Sequence, residues 1–393
     1  MPAGYYPTHL LRLSILLSLL GLAHTAGAQS YQLVDLGTLG GNESQATGIN
    51  NTGQVAGYAK TTSGAIHATR WNGTIPTDLG PGASGGTNSY ATGINNAGVV
   101  VGYADTTSGT SHATRWKGMI PTDLSHGASG VDSAAYGIND AGQVVGYTHT
   151  AGDFATHATL WNGTTATDLG NTNTVSEATG INNAGEVVGD YGYGGPDFQA
   201  ALQWNTNTTI PTELGNLGPI SFVTGINSAG QVVASSLTDN SVFRAELWND
   251  TTTPTDLGPG ASGGNFSGAN GINKSGQVVG FATTAGDVAN HATLWNGTIA
   301  VDLNTQISPT LARYITLTEA TAINDNGWIA ANGVNSQTGR TEAYLLTPRP
   351  VPCDEDHCDK DHCDKECDKD QRDKDQRDKD HCDKDHSDAE GCE

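Results

Sequence analysis

The residues best equipped for chemistry crowd the end of the chain. Cys353, Cys358, Cys363, Cys367, Cys382 and Cys392 are all six of its cysteines, and His357, His362, His381 and His386 are interleaved with them. The unit Cys-Asp-Lys-Asp-His occurs at 358–362 and again at 382–386. Thiolate and imidazole together suit borderline divalent ions such as Zn, Cu or Ni, and the His-Cys neighbours at 357/358 and 381/382 place two ligand types side by side. The spacing is not that of a folded zinc finger, so metal capture here would be adaptive and weakly selective. Two other readings stay open. In an oxidising compartment the thiols pair as disulfides, within or between chains. A run of alternating Asp and Lys also serves as a solvated, passive tail. Residues 353–393 have Ala389 as their only aliphatic side chain, so the acidic segment 349–393 cannot build a core and is expected to be disordered.

Elsewhere the chemistry is thinner. His67, His112, His157 and His291 recur at one position of a repeat, where Ala200 and Arg244 stand in two other copies. A histidine repeated beside a strand is better read as bonding within its own repeat than as one of a shared metal set. Trp71, Trp116, Trp161, Trp204, Trp248 and Trp295 also recur. They could stack on sugars, but packing between repeats is the plainer reading. Unique function is expected where a copy departs from the rest. Copy four carries the stretch Asp190 to Asp197, with Tyr191 and Tyr193; copy five has Ser235-Ser236 and Arg244; copy seven has the long connection Asn304 to Tyr314. Asp190, Tyr191, Tyr193, Asp197 and Arg244 are therefore the candidate contacts for a carbohydrate or a peptide, against the plainer reading of drift in a tolerant loop. The sequence has no His-Glu-x-x-His and no phosphate loop. A pair of carboxylates brought together by the fold stays open.

These residues sit on a sevenfold repeat. Gly-Ile-Asn begins at Gly48, Gly93, Gly137, Gly180, Gly225 and Gly271, with Ala-Ile-Asn at Ala322. An acid-Leu pair recurs at Asp35, Asp78, Asp123, Asp168, Glu213, Asp256 and Asp302. Each unit reads as four short strands: 91–95, a turn at Asn96-Ala97-Gly98, then 99–103, 112–116, and a last strand with Thr122-Asp123-Leu124. Asn-Gly pairs at 72–73, 162–163 and 296–297 mark hairpins. Four strands per unit match a propeller blade. The expectation is an all-β, seven-bladed β-propeller of four-stranded antiparallel blades with very little helix. The seventh unit has no acid-Leu strand after it, and a spare one precedes the first unit. Residues 31–37 are thus expected to close the last blade. An open β-solenoid is the rival.

The ends and the charge bound the setting. Arg12, the apolar run Leu13 to Ala23 and Ala-Gly-Ala before Gln29 have the order of a secretory signal peptide. The run is too short to span a bilayer. The expected organisation is a signal peptide at 1–28, the repeat body at 29–348 and the tail at 349–393, in a secreted or cell-surface protein. Of 41 acidic and 18 basic residues the tail holds a large share, which leaves a sparsely charged acidic body. That surface argues against nucleic acid and against an anionic membrane.

The segments His-Ala-Thr-Arg/Leu-Trp at His67, His112, His157 and His291, preceded by Gly-Ile-Asn and Gly-Gln-Val-Val-Gly-Tyr, resemble the bacterial extracellular HAF repeat, as does Asp-Leu-Gly-Thr-Leu-Gly-Gly at Asp35. Here Thr stands where the namesake motif has Phe. The resemblance covers about 29–348 and implies an extracellular or surface repeat protein, with no defined reaction. The function expected is non-catalytic: a ring that binds a surface glycan or protein, with a tail that takes divalent metal. The alternatives are a propeller hydrolase or lyase acting on polysaccharide, and a structural surface or matrix protein with a disulfide-linked tail.

Overall fold

A computed structural model describes residues 30–350 apart from 126–131, 150–154, 171–174, 193–198, 205–208, 216–217 and 250–252. The tail with its ten candidate ligands, together with Tyr193 and Asp197, lies outside the described residues.

Each repeat folds as an antiparallel sheet. Blade 1 is Gly40–Ile49, Gln54–Thr61, Ile66–Asn72 and Ile75–Asp78, and blade 2 is Gly85–Ile94, Val100–Thr106, Ser111–Lys117 and Ile120–Asp123. Blades 3 to 6 start their inner strands at Ser133, Val175, Ile220 and Gly263. Blade 7 takes three strands from the C-terminal side, Ile315–Ile323, Ile329–Asn335 and Arg340–Pro348, and its fourth from the N-terminus, Tyr31–Asp35. That strand runs from Tyr31 opposite Pro348 to Asp35 opposite Tyr344. The ring is therefore latched by the displaced acid-Leu strand, as the spare copy predicted. A single parallel bridge, Gln199 to Ile220, ties blade 4 to blade 5. Among the described residues the only helices are two 3-10 turns, Leu303–Thr305 and Leu311–Arg313, in the long seventh connection. No helix there is long and apolar enough to cross a membrane.

The inner strands of blades 1, 2 and 6 are longer than the repeat markers suggested, starting at Gly40, Gly85 and Gly263. Each opens on a Gly-Gly pair followed by a break in register. The second glycine is needed for close approach: a Cβ on Gly86 would sit 2.1 Å from the Asp105 carbonyl oxygen. The glycine of Gly-Tyr has the same cause, because a Cβ on Gly57 would lie 1.9 Å from the Gln45 carbonyl oxygen.

The core lies between blades. Trp116 of blade 2 packs on Ala56, Ala68 and Leu79 of blade 1, and Trp161 of blade 3 packs on Val101, Ala113 and Leu124 of blade 2. The pattern continues round the ring to Trp71, which meets Leu36, Ala330, Ala343 and Leu345 across the closure. All six repeated tryptophans are buried, so packing is their role. The Leu of the acid-Leu pair is the partner surface for the next blade's Trp. Outer strands are kept short, and Pro76 and Pro121 lie within two of them, which removes donors from the exposed edges.

Candidate functional site

The channel has two unlike ends. At the turn face, the Asn of every Gly/Ala-Ile-Asn unit caps its own turn and reaches the next blade. The Asn95 Oδ1 accepts the Val99 N–H, and the Asn50 Oδ1 accepts the Gln54 N–H. Their Nδ2 groups run in one direction round the ring. Asn50 donates to the Asn95 carbonyl at 3.0 Å, and Asn95 to Asn139 at 3.1 Å. Asn139 donates to Asn182 and Asn182 to Asn227, each at 3.1 Å. Asn227 donates to Asn273 at 3.0 Å, Asn273 to Asn324 at 3.2 Å, and Asn324 back to Asn50 at 2.9 Å. This is a closed circle of buried amide bonds. The next residues form a second, partial collar: Asn51 N–H to Asn96 Oδ1, Asn96 to Asp140, Asp140 to Asn183, and Asp325 to Asn51. Most of the side-chain amides here bond one another or the backbone of the next blade.

The opposite end, toward the loops that link strands two and three, is more open. A cavity of about 390 Å³ is lined by Thr47, Thr92, Tyr136, Glu177, Thr179, Val223, Thr224 and Asn270. These residues come from inner strands, at the places one, two or three residues before the Gly of Gly-Ile-Asn. Thr47, Thr92 and Thr224 donate their hydroxyls to Ala91, Ala135 and Ala269 of the following blade. Each hydroxyl oxygen keeps acceptor capacity.

Around this mouth the repeat position after Gly-Gln-Val-x-Gly carries different residues in different blades. Blades 1 to 3 have Tyr58, Tyr103 and Tyr147, which with inner-strand tyrosines form an aromatic arc. Tyr58 meets Tyr90 edge-on at 5.2 Å, Tyr90 stacks on Tyr103 at 5.0 Å, and Tyr136 lies 5.7 Å from Tyr147, which is 5.7 Å from His149. Burial, then the neighbouring Tyr103 and Glu43, push the Tyr58 phenol up to about 12. Burial and the Glu177 charge likewise raise Tyr136.

Blades 4, 5 and 7 place Asp190, Ser235 and Asn332 at that same position, and all three bond the next blade. Asp190 Oδ1 accepts the Val223 N–H at 2.8 Å, Ser235 Oγ accepts Ala269 N–H at 3.2 Å, and Asn332 Oδ1 accepts Ala46 N–H at 2.8 Å. Asn332 also donates Nδ2 to the Ala46 carbonyl at 3.1 Å. Asp190 has such a donor only while its carboxyl is protonated. Burial, with Glu177 opposite it in the sheet, pushes its carboxyl up to about 8, against the pull of the Val223 N–H. Burial also raises Glu177, opposed by His149, and raises Glu319, opposed by the Asn270 amide. Asn270 donates to Glu319 Oε1 at 2.8 Å.

The residues singled out from sequence land in several places. Asp190 and Tyr191 are not in a loop: the second strand of blade 4 runs Val187–Gly192 and contains both. The alternating pattern of Val187-Val188-Gly189 simply continues. Asp190 turns into the blade 4–5 seam, and Tyr191 is partly buried against the Trp204 cluster. Arg244 occupies the repeated His position, with Nε 3.9 Å from Asp256 Oδ2. The histidines have equivalent partners: the Nδ1 atoms of His67, His112, His157 and His291 lie 2.7 to 2.9 Å from Asp78, Asp123, Asp168 and Asp302. They tie third to fourth strands within a blade. Among the described residues no three His, Cys, Asp or Glu side chains are grouped to hold a metal ion. Sequence reasoning missed Tyr136, Glu177, Asn270 and Glu319. Their signal was variation in two columns just before Gly-Ile-Asn, where Thr gives way to Tyr136 and Asn270, and Gln45 to Glu177 and Glu319.

No family model and no curated protein matches the sequence. Among solved structures, the chain resembles an oligogalacturonate lyase in complex with manganese, with a TM-score of 0.51 and 12% identity over 82% of this chain and 94% of the lyase. It resembles a puromycin-hydrolyzing peptidase of Mycobacterium tuberculosis at 0.50 and 12%, over 79% of this chain and 52% of the peptidase. A lectin from Burkholderia pseudomallei aligns at 0.43 and 14%, over 82% and 99%. The chain spans about half the length of the peptidase. At these identities the likeness to the lyase and the peptidase is one of fold alone.

Proposed function

We propose that this chain is an exported binding protein whose ring holds a glycan at the loop-side mouth of its channel, without catalysis. The observation that carries the reading is the cavity of about 390 Å³ in which Thr hydroxyls, the Asn270 amide and Tyr136 converge beside Glu177. Amphipathic rings and neutral hydrogen-bonding groups in one concave site suit sugars, which present apolar faces and polar edges. Affinity electrophoresis in gels cast with different polysaccharides tests it. Retardation by at least one polysaccharide, lost in Tyr136→Ala, is expected; uniform mobility in all of them would sink it.

A second reading, a polysaccharide hydrolase or lyase, is favoured by one feature: Glu177 and Asp190 are neighbours, and Asp190 stays protonated to about pH 8. Against it, Asp190 is occupied by the Val223 N–H in the blade seam. Release of reducing ends by the wild type but not by Glu177→Gln would favour this reading over simple binding.

The similarity of the His-Ala-Thr segments to HAF repeats, with the signal-peptide order of residue types expected at 1–28, supports placement outside the cytoplasm. For the tail, we propose adaptive capture of Zn, Cu or Ni by the Cys/His units of 353–393. Calorimetric titration of reduced protein with and without those residues tests this, beside a thiol count on secreted material. Full oxidation on secretion would move the tail's role to cross-linking.

A further inference from the structure

We propose that the mouth is selective for amine-bearing glycans, chains of protonated amino sugars, over neutral and anionic ones. This rests on the glycan reading above and names its ligand class.

The aromatic arc covers blades 1 to 3 and is flanked by carboxylates. Glu43 and Asp105 act on Tyr90, and Asp132 acts on Tyr147. Glu177 lines the cavity, Asp190 adjoins it, and Glu319 holds the lining amide of Asn270. The nearby basic side chains are already engaged. Lys60 is 2.6 Å from Glu43, and His149 stands 4.0 Å from Asp132. A ligand entering this mouth therefore meets aromatic faces and a negative field together. That combination attracts a cation twice, through ring quadrupoles and through direct charge pairing. A uronate chain would bring its own carboxylates against Glu177 and Glu319. A neutral sugar would gain the hydroxyl contacts and none of the charge.

The raised carboxyls support this geometry. Glu177 and Glu319 are raised by loss of water, opposed only by His149 in the first case and by the Asn270 amide in the second. A bound ammonium group restores their charged form and recovers part of that cost. A sugar, rather than a peptide, is favoured because the cavity wall joins apolar surface, with Tyr136 and Val223 in it, to hydroxyl oxygens of Thr47, Thr92, Thr179 and Thr224 on four different blades, which donate to backbone and keep acceptor capacity.

Calorimetry on the full chain with four probes decides it: short β-linked glucosamine oligosaccharides, their N-acetylated counterparts, oligogalacturonate, and a lysine-rich peptide of similar charge. The expected order has the glucosamine chain binding at least about tenfold tighter than the acetylated chain, with affinity falling as salt rises. Glu177→Gln should weaken the glucosamine chain about tenfold and the acetylated chain by much less, so that the preference between them collapses; Glu319→Gln gives an independent test should Glu177→Gln fold poorly. Equal affinity for glucosamine and acetylated chains overturns the charge selectivity while leaving glycan binding intact. Preference for oligogalacturonate, or tighter binding of the peptide, also overturns the proposal. Silence from all three glycans alongside uniform mobility in polysaccharide gels overturns the glycan reading itself.

Discussion

Replacing Asp190 with Asn should stabilise this protein, and more so as pH rises. Asp190 accepts one hydrogen bond across the blade 4–5 seam, from Val223 N–H. Its counterpart in blade 7, Asn332, makes that bond and a second one to the Ala46 carbonyl. The carboxyl is raised from 3.8 to about 8 in the fold, chiefly by burial. An acid whose folded value is raised favours the native state fully below its unfolded value, and that advantage is lost as pH climbs from about 4 to about 8. At about 1.4 kcal/mol per unit, the loss by pH 7 is at most about 4 kcal/mol, and nearer 2 after allowing for partial solvent exposure. Asparagine has no proton to lose, so Asp190→Asn removes the penalty and offers a donor toward the Val223 carbonyl at every pH. Denaturant unfolding of both proteins at pH 5, 7 and 8.5 reads the difference. The variant should gain progressively on the wild type across that series. A constant difference, or a variant that loses stability at pH 8.5, would refute the idea that Asp190 is buried for structure at the cost of its charge.

The amide circle makes a sharper claim about ring closure. Asn95→Ala removes the Nδ2 bond to Asn139 and the cap on Val99, for an expected loss of about 2–3 kcal/mol; urea unfolding of this variant should match Asn227→Ala and exceed an exposed control such as Asn72→Ala. Asp123 predicts the acid limb. Burial alone would raise it, but bonds from Ser125, His112 and Ser84 bring it down to about 2. Its contribution is present above about pH 4 and lost as pH falls toward 2, so Ser84→Ala with Ser125→Ala should move acid unfolding up by about one pH unit. Removing the latch, by deleting 30–37, should expose the open edge of Arg340–Pro348 and, with Leu36 gone, the part of Trp71 that it covers; size-exclusion chromatography should then show self-association that the intact ring lacks.

What could be read beforehand were the features that repeat. Gly-Ile-Asn, Trp and acid-Leu recur because every blade seam needs the same close approach, the same plug and the same amide bond. The displaced acid-Leu strand at Asp35 was legible as a latch by simple counting. The mouth was harder. Tyr136, Glu177 and Asn270 stand in columns that vary, and variation in one sequence looks like drift. Asp190 was legible as unusual but misplaced, since a Gly-Asp-Tyr-Gly run resembles a loop while the valines before it carry the strand on. The circle of Asn side chains was hidden for a different reason. Each Asn reads locally as a turn cap, and its second bond exists only once the ring brings the next copy beside it.

Ligand is expected to enter at the loop-side mouth and not at the rim or the amide collar. Hydroxyl-radical footprinting of the full chain with and without a retarding polysaccharide addresses it directly. Protection is expected at Tyr58, Tyr90, Tyr103, Tyr136 and Tyr147, with no change at the exposed rim residues Ile75, Ile120 and Ile299. Protection confined to those isoleucines, with the tyrosines unaffected, would contradict the account.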